Sequence, residues 1–148
     1  MTRCKQCLTK AEPINGNCPA CGIDPEKTRA ELTGAEKKVR RHARTVRFLA
    51  MFHLVFAASF LMMLPHAPMV VPVILQALVN IVLAFGLSNF SLITKKAAVV
   101  YYFLIGMVSV VSVQHGSQYV GGIILCLAAI YIVGNPTARA IFERQPNR

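Results

Sequence analysis

The chain has 148 residues, 55% of them hydrophobic and only 15% charged, with a mean hydropathy of +0.51 and a formal net charge of +10. That balance excludes an ordinary soluble domain, in which about a quarter of residues are charged. It also argues against chemistry built on paired carboxylates, because Asp24 is the only aspartate and neither long apolar run carries an acid.

The N-terminal stretch CKQCLTKAEPINGNCPACG places two Cys-x2-Cys pairs, Cys4/Cys7 and Cys18/Cys21, ten residues apart. A Cys-x-x-Cys turn lets two thiolates converge on one ion, and two such turns complete a tetrahedral sulfur site for zinc. Pro19 and Gly22 suit the sharp second turn, and Asn15-Gly16 is a strong signal for a tight hairpin. The segment therefore reads as two metal knuckles joined by a short β-hairpin.

These residues resemble the short zinc-ribbon domains found at the ends of many bacterial proteins, through the pattern Cys-x2-Cys-x10-Cys-Pro-x-Cys-Gly. The resemblance covers roughly residues 2–24 and implies Zn2+ as a structural cofactor held by Cys4, Cys7, Cys18 and Cys21. One departure is Leu8, which stands in the first knuckle where glycine is frequent.

Other readings of the cysteines are weaker. Disulfides need an oxidising compartment, and the charge pattern below places these thiols in the cytosol. A rubredoxin-like iron site has similar knuckles but a much longer intervening loop, and a redox pair is expected beside a βαβ pattern. Four thiolates close the coordination shell, leaving no open position for catalysis, so no enzymatic role is expected. Four thiolates on one Zn2+ leave a charge of −2, which Arg3, Lys5 and Lys10 would offset. A unit of this size buries too little to fold alone, so the metal would supply the folding energy.

Residues 25–47 read as a linker and a basic juxtamembrane helix continuous with the first membrane span. Thr33-x-x-Glu36 has the spacing of a capping box. Lys37, Lys38, Arg40, Arg41, Arg44 and Arg47 follow, most of them three or four residues apart. Such a helix beside a bilayer binds anionic headgroups, at about 1 kcal/mol per charge close to the surface. Nucleic acid is the less favoured partner, because the chain lacks an exposed aromatic platform.

No Asp, Glu, Lys or Arg occurs from Phe48 to Thr94 or from Ala97 to Ala138. Either run as a single helix would far exceed the roughly 30 Å hydrocarbon core, so each must fold back as a hairpin. The turns fall at Pro65-His66-Ala67-Pro68 and Gln114-His115-Gly116-Ser117-Gln118. A domain over 48–134 with four spans follows, at 48–64, 69–89, 97–113 and 119–134, and a basic tail at 135–148. All 16 Lys and Arg lie in the N-terminal 47 residues, at Lys95-Lys96, or in the tail at Arg139, Arg144 and Arg148. The positive-inside rule then places both termini in the cytoplasm of a multi-pass inner-membrane protein. With no apolar h-region in the first 47 residues, the first span is expected to act as an uncleaved anchor.

Polar residues inside the spans are few. Gln76 and Asn80 share one face of the second span, and His53 lies at a depth similar to Asn80, about 8 Å from the basic end. A His53–Asn80 contact is expected, with Ser109 and Ser112 reaching Gln76 from the third span. Such groups usually act as helix-packing glue. Cys126, four residues after Gly122, reads as a small packing residue, and the tail as a short basic amphipathic helix on the membrane surface. His66 and His115 fall in the outer turns, where exposure is the simplest reading.

The functional expectation is a non-enzymatic membrane protein that holds a cytosolic zinc ribbon off the bilayer for protein docking or self-assembly. A small oligomeric transporter or channel lined by His53, Gln76 and Asn80 is the first alternative. A zinc or redox sensor is the second.

Overall fold

A computed structural model describes residues 3–10, 12–66, 70–113 and 118–143. The chain is mostly helical. The helices run in the order α1 (Gly34–Met63), α2 (Val70–Ser88), α3 (Leu92–Ser112), α4 (Gln118–Gly134) and α5 (Pro136–Glu143), with a short 3-10 turn at Leu64–His66 after α1. The four cysteines lie ahead of α1 in a compact loop unit.

α1 begins at a complete capping box. The Thr33 hydroxyl accepts from the Glu36 N–H at 3.2 Å, and the Glu36 carboxylate accepts from the Thr33 N–H at 2.7 Å. Two orphan donors of the helix start are thereby satisfied. Glu36 also receives Lys27 Nζ at 2.8 Å. That lysine first, and the Thr33 amide second, hold its carboxyl down to about 2. No helix breaker interrupts the next thirty residues, and α1 is continuous.

Along α1 the buried positions are Ala43, Val46, Ala50, His53 and Ala57, a three-and-four spacing that defines one seam. α2 presents Ala77, Asn80, Leu83, Ala84 and Leu87 to it. Large apolar side chains point the other way: Phe48, Met51, Val55, Val82, Phe85 and Val108 are all more than half exposed. Small residues inside and large ones outside is the reverse of a soluble core and is the pattern of helices packed in lipid. α1 packs along α2 and α3 along α4, whereas α1 meets α4, and α2 meets α3, more sparsely.

α1, α2 and α3 are each long and apolar enough to cross a membrane. The 17-residue α4 reaches that measure only with α5, from which it is bent by 54°. The described residues therefore carry three or four membrane-length helices, where the sequence predicts four spans. α3 also begins earlier than the expected 97, at Leu92, because the Ser91 hydroxyl accepts from the Thr94 N–H and caps the helix there. Lys95 and Lys96 thus lie in its first turns. The turns around 67–69 and 114–117, including His115, fall outside the described residues.

Two ends of elements depend on unusual backbone. α2 stops in a Schellman arrangement: Ser91 N–H reaches Gly86 O at 2.9 Å and Phe90 N–H reaches Leu87 O at 3.1 Å. Phe90 occupies the left-handed position (φ 54°) that glycine usually takes. Its ring is fully buried and meets Phe142 of α5 edge-on at 5.8 Å. α5 is capped by Asn135, whose side chain accepts from the Thr137 N–H at 2.9 Å, with Pro136 at the first helical position. Ala138, Ile141 and Phe142 are buried against the bundle while Arg139 and Glu143 pair outside. The tail helix is amphipathic, but its apolar face covers protein.

The turn after α2 brings Gly86 against Thr94 so closely that a Cβ on Gly86 would collide with the Thr94 side chain. Gly86→Ala should therefore destabilise the helical unit by about 1–3 kcal/mol, the usual cost of overpacking. Thermal unfolding followed by circular dichroism in mild detergent would check this, and an unchanged midpoint would refute the close approach.

Candidate metal centre and its basic collar

The two knuckles are built alike. In the first, Leu8 N–H bonds Cys4 O at 2.8 Å and Cys4 N–H bonds Thr9 O at 3.0 Å. In the second, Gly22 N–H bonds Cys18 O at 2.7 Å and Cys18 N–H bonds Ile23 O at 3.0 Å. Gly22 sits at φ 72° and Leu8 at φ 63°, so the leucine adopts the left-handed geometry and keeps the ligand turn intact. Between them, Ile14 and Asn17 exchange both backbone hydrogen bonds around Asn15 (φ 50°) and Gly16 (φ 76°), a type I′ turn. The expected β-hairpin goes no further. Among the described residues there are only the isolated bridges Arg3↔Lys10 and Ile14↔Asn17, and no strand.

The four cysteines are buried, and their sulfurs all lie within 4.8 Å of one another. Cys4 and Cys21 sulfurs are 3.9 Å apart, and Cys7 and Cys18 are 3.7 Å apart. A tetrahedron with metal–sulfur bonds of about 2.3 Å has edges of about 3.8 Å, so the donor set fits one metal ion. The hydrogen bonds from Cys18 and Cys21 pull the Cys4 thiol well below its ordinary value, and the pairing with Cys18 and Cys4 pushes Cys21 well above. Four sulfurs this close cannot all ionise without a cation between them.

The loop unit does not stand clear of the helices. Gln6, itself buried, donates from Nε2 to Lys27 O at 2.7 Å. Arg44 donates to Lys5 O at 3.2 Å and to Gln6 O at 3.4 Å. Arg47 donates to Leu8 O, to Thr9 Oγ1 at 3.2 Å and to Ser88 O at 3.2 Å, with its guanidinium 5.9 Å from the Phe90 ring. The first knuckle is thus clamped to α1 and the end of α2. Two of the six basic residues expected at headgroups, Arg44 and Arg47, have protein partners. Lys37, Lys38 and Arg41 remain exposed and Arg40 partly so.

Within the bundle the structure brings His53 and Asn80 together. Asn80 Nδ2 donates to Gln76 O at 2.8 Å, which turns its carbonyl oxygen to His53 Nδ1 at 2.7 Å. Nδ1 must then donate, and Nε2 accepts from the Tyr102 hydroxyl. Gln76 donates to Tyr101 Oη at 2.6 Å, not to a serine. Ser109 instead bonds Ile105 O at 2.9 Å in its own helix and lies beside Gly122. Tyr101 and Tyr102 are the residues that sequence reasoning missed, although two adjacent hydroxyls inside a charge-free run were a usable signal. Cys126 is buried between α3 and α4 near Gly106.

Comparison of the chain with protein-family models, with curated proteins and with solved structures finds no match. What the described residues show on their own is three or four helices long and apolar enough to cross a membrane, beside a buried four-cysteine cluster able to hold a metal ion.

Leu8 in the left-handed region costs about 1 kcal/mol or more relative to glycine, and its side chain is 38% exposed. Leu8→Gly should therefore stabilise the loop unit by about 1 kcal/mol. Slower metal loss to a chelator would show it, and faster loss would mean that leucine packing outweighs the backbone strain.

Proposed function

We propose that this is a non-enzymatic protein of the inner membrane, with four spans and both termini cytoplasmic. The ribbon closes around one structural Zn2+ and serves as a docking surface for a protein partner or a second copy of the chain. The reading of zinc rests on four thiolates with no fifth donor among the described residues, in a unit too small to fold by apolar burial. The orientation rests on the confinement of Lys and Arg to the N-terminal 47 residues, Lys95-Lys96 and the tail, with none in the expected hairpin turns.

The observation that carries docking is the asymmetry of the ribbon. Its first knuckle is clamped by Arg44 and Arg47, while residues 12–17 project outward with Ile14 61% exposed on a rigid turn. An apolar side chain fixed at the tip of a metal-folded unit suits a partner surface. The polar side chains of the transporter alternative bond to one another between the helices, and the sensor alternative depends on a metal affinity that only measurement supplies.

Elemental analysis should find one zinc per chain in the purified protein. Cys18→Ser should abolish that stoichiometry while helical circular dichroism and membrane insertion persist. Retained zinc in the variant would refute the four-sulfur site. For docking, a mild-detergent pull-down should lose its partner, or its self-association, when residues 1–24 are removed and also on Ile14→Glu. Interactions indifferent to both changes would end the docking reading.

A further inference from the structure

Two hollows lie one after the other along α1. One is a groove of about 570 Å3 lined by Arg29, Ala30, Lys37, Arg40, Arg41 and Arg44, five cations with no carboxylate among them. The other is a cleft of about 330 Å3 between α1 and the α3–α4 hairpin, walled almost entirely by carbon from Phe48, Phe52, Phe56, Ile105, Leu125 and Ala129. It opens because α1 and α4 meet only sparsely. The His42 ring bonds Ile132 O at 2.7 Å and ties the two helices together at the ribbon end of the cleft.

The two hollows share one helix. Arg41 and Thr45, which line the groove and the cleft respectively, are four residues apart and so neighbours on one face. Phe48 lies a further turn along, about 10 Å from Arg41 by helix rise. A ligand reaching from one hollow into the other must be anionic at one end and apolar at the other. Crowded like charges repel one another, and an anion placed among them relieves that repulsion. The cleft volume is also within the usual range for small-molecule sites, about 300–1,000 Å3.

We propose that these hollows together hold one anionic phospholipid, its phosphate among Lys37, Arg40 and Arg41 and one acyl chain in the cleft. The proposal rests on the reading of the chain as membrane-embedded with its basic segment at headgroup level, and it is independent of ribbon docking. Arg40 and Arg41 supply the charge that distinguishes this lipid from a zwitterionic one, and Ile105 supplies wall.

The test is native mass spectrometry of the full chain in mild detergent. It is titrated with phosphatidylglycerol, with phosphatidylcholine of the same acyl chains, and with glycerol phosphate. The expected result is one retained phosphatidylglycerol per chain, at least tenfold tighter than phosphatidylcholine, with no competition from glycerol phosphate. Arg40→Gln with Arg41→Gln should weaken phosphatidylglycerol about tenfold or more. Ile105→Trp, at a partly exposed position, should fill the cleft and weaken both lipids. Equal retention of the two lipids, or an unchanged titration in either variant, overturns the proposal. Competition by glycerol phosphate would overturn it in favour of a free-phosphate site. Flotation of the same preparations with liposomes reports membrane embedding separately, so a failed lipid site and a failed membrane reading give different results.

Discussion

Arg47 stands where three parts of the chain meet. Its guanidinium donates to the first knuckle through Leu8 O and Thr9 Oγ1, and to the last turn of α2 through Ser88 O, and lies 5.9 Å from the Phe90 ring. Each contact has an electrostatic reason. The end of α2 carries the negative pole of its helix dipole, the aromatic face is electron-rich, and the knuckle carbonyls border a cluster of thiols. Only a planar fork with several fixed donors reaches three acceptors in different directions, so lysine would not replace it. Through this one side chain the four-cysteine unit, α1 and the α2–α3 turn share a common anchor.

Around that anchor the chain separates two kinds of packing. The loop unit has almost no apolar core beyond Ala20, Ile23 and Leu32, and its order comes from hydrogen-bonded knuckles and from its cysteines. The helices bury alanine, a few larger residues and a ring of polar side chains, and turn their bulk outward. In lipid, apolar burial between helices offers little advantage, so close approach and interhelical hydrogen bonds hold the seam. The His53–Asn80 and His53–Tyr102 bonds fit that role because each donor in the chain finds an acceptor.

What could be read from the sequence was local. Cysteine spacing, Asn15-Gly16, the Thr33–Glu36 cap and the charge-free runs each act over a few residues or through composition, and each left a pattern. The clamp did not. Arg44 and Arg47 reach acceptors 38 and 39 residues away, and most of those acceptors are backbone carbonyls, which every residue possesses. A basic residue on a neck helix looks the same whether it faces lipid or a carbonyl. Phe90 was hidden for a related reason, because its left-handed backbone is tolerated only where Phe142 and Arg47 surround its ring. The apolar face of α5 was legible in the tail, but which surface it covers was not.

Insertion and closure of this protein have separate physical origins. The capacity of the helices to cross a membrane lies in the long charge-free runs, which are separate in sequence from the four clustered cysteines. Closure at the cysteine-bearing end is a set of specific contacts: His42 on Ile132 O, Arg47 on Ser88 O, and Phe142 between the Phe90 ring and Lys95. Arg47 enters two of these neighbourhoods while also holding the first knuckle. Arg47 therefore joins the cysteine-bearing loop directly to the end of α2. The four-cysteine unit is in that sense joined to the closed end of the bundle through its first knuckle.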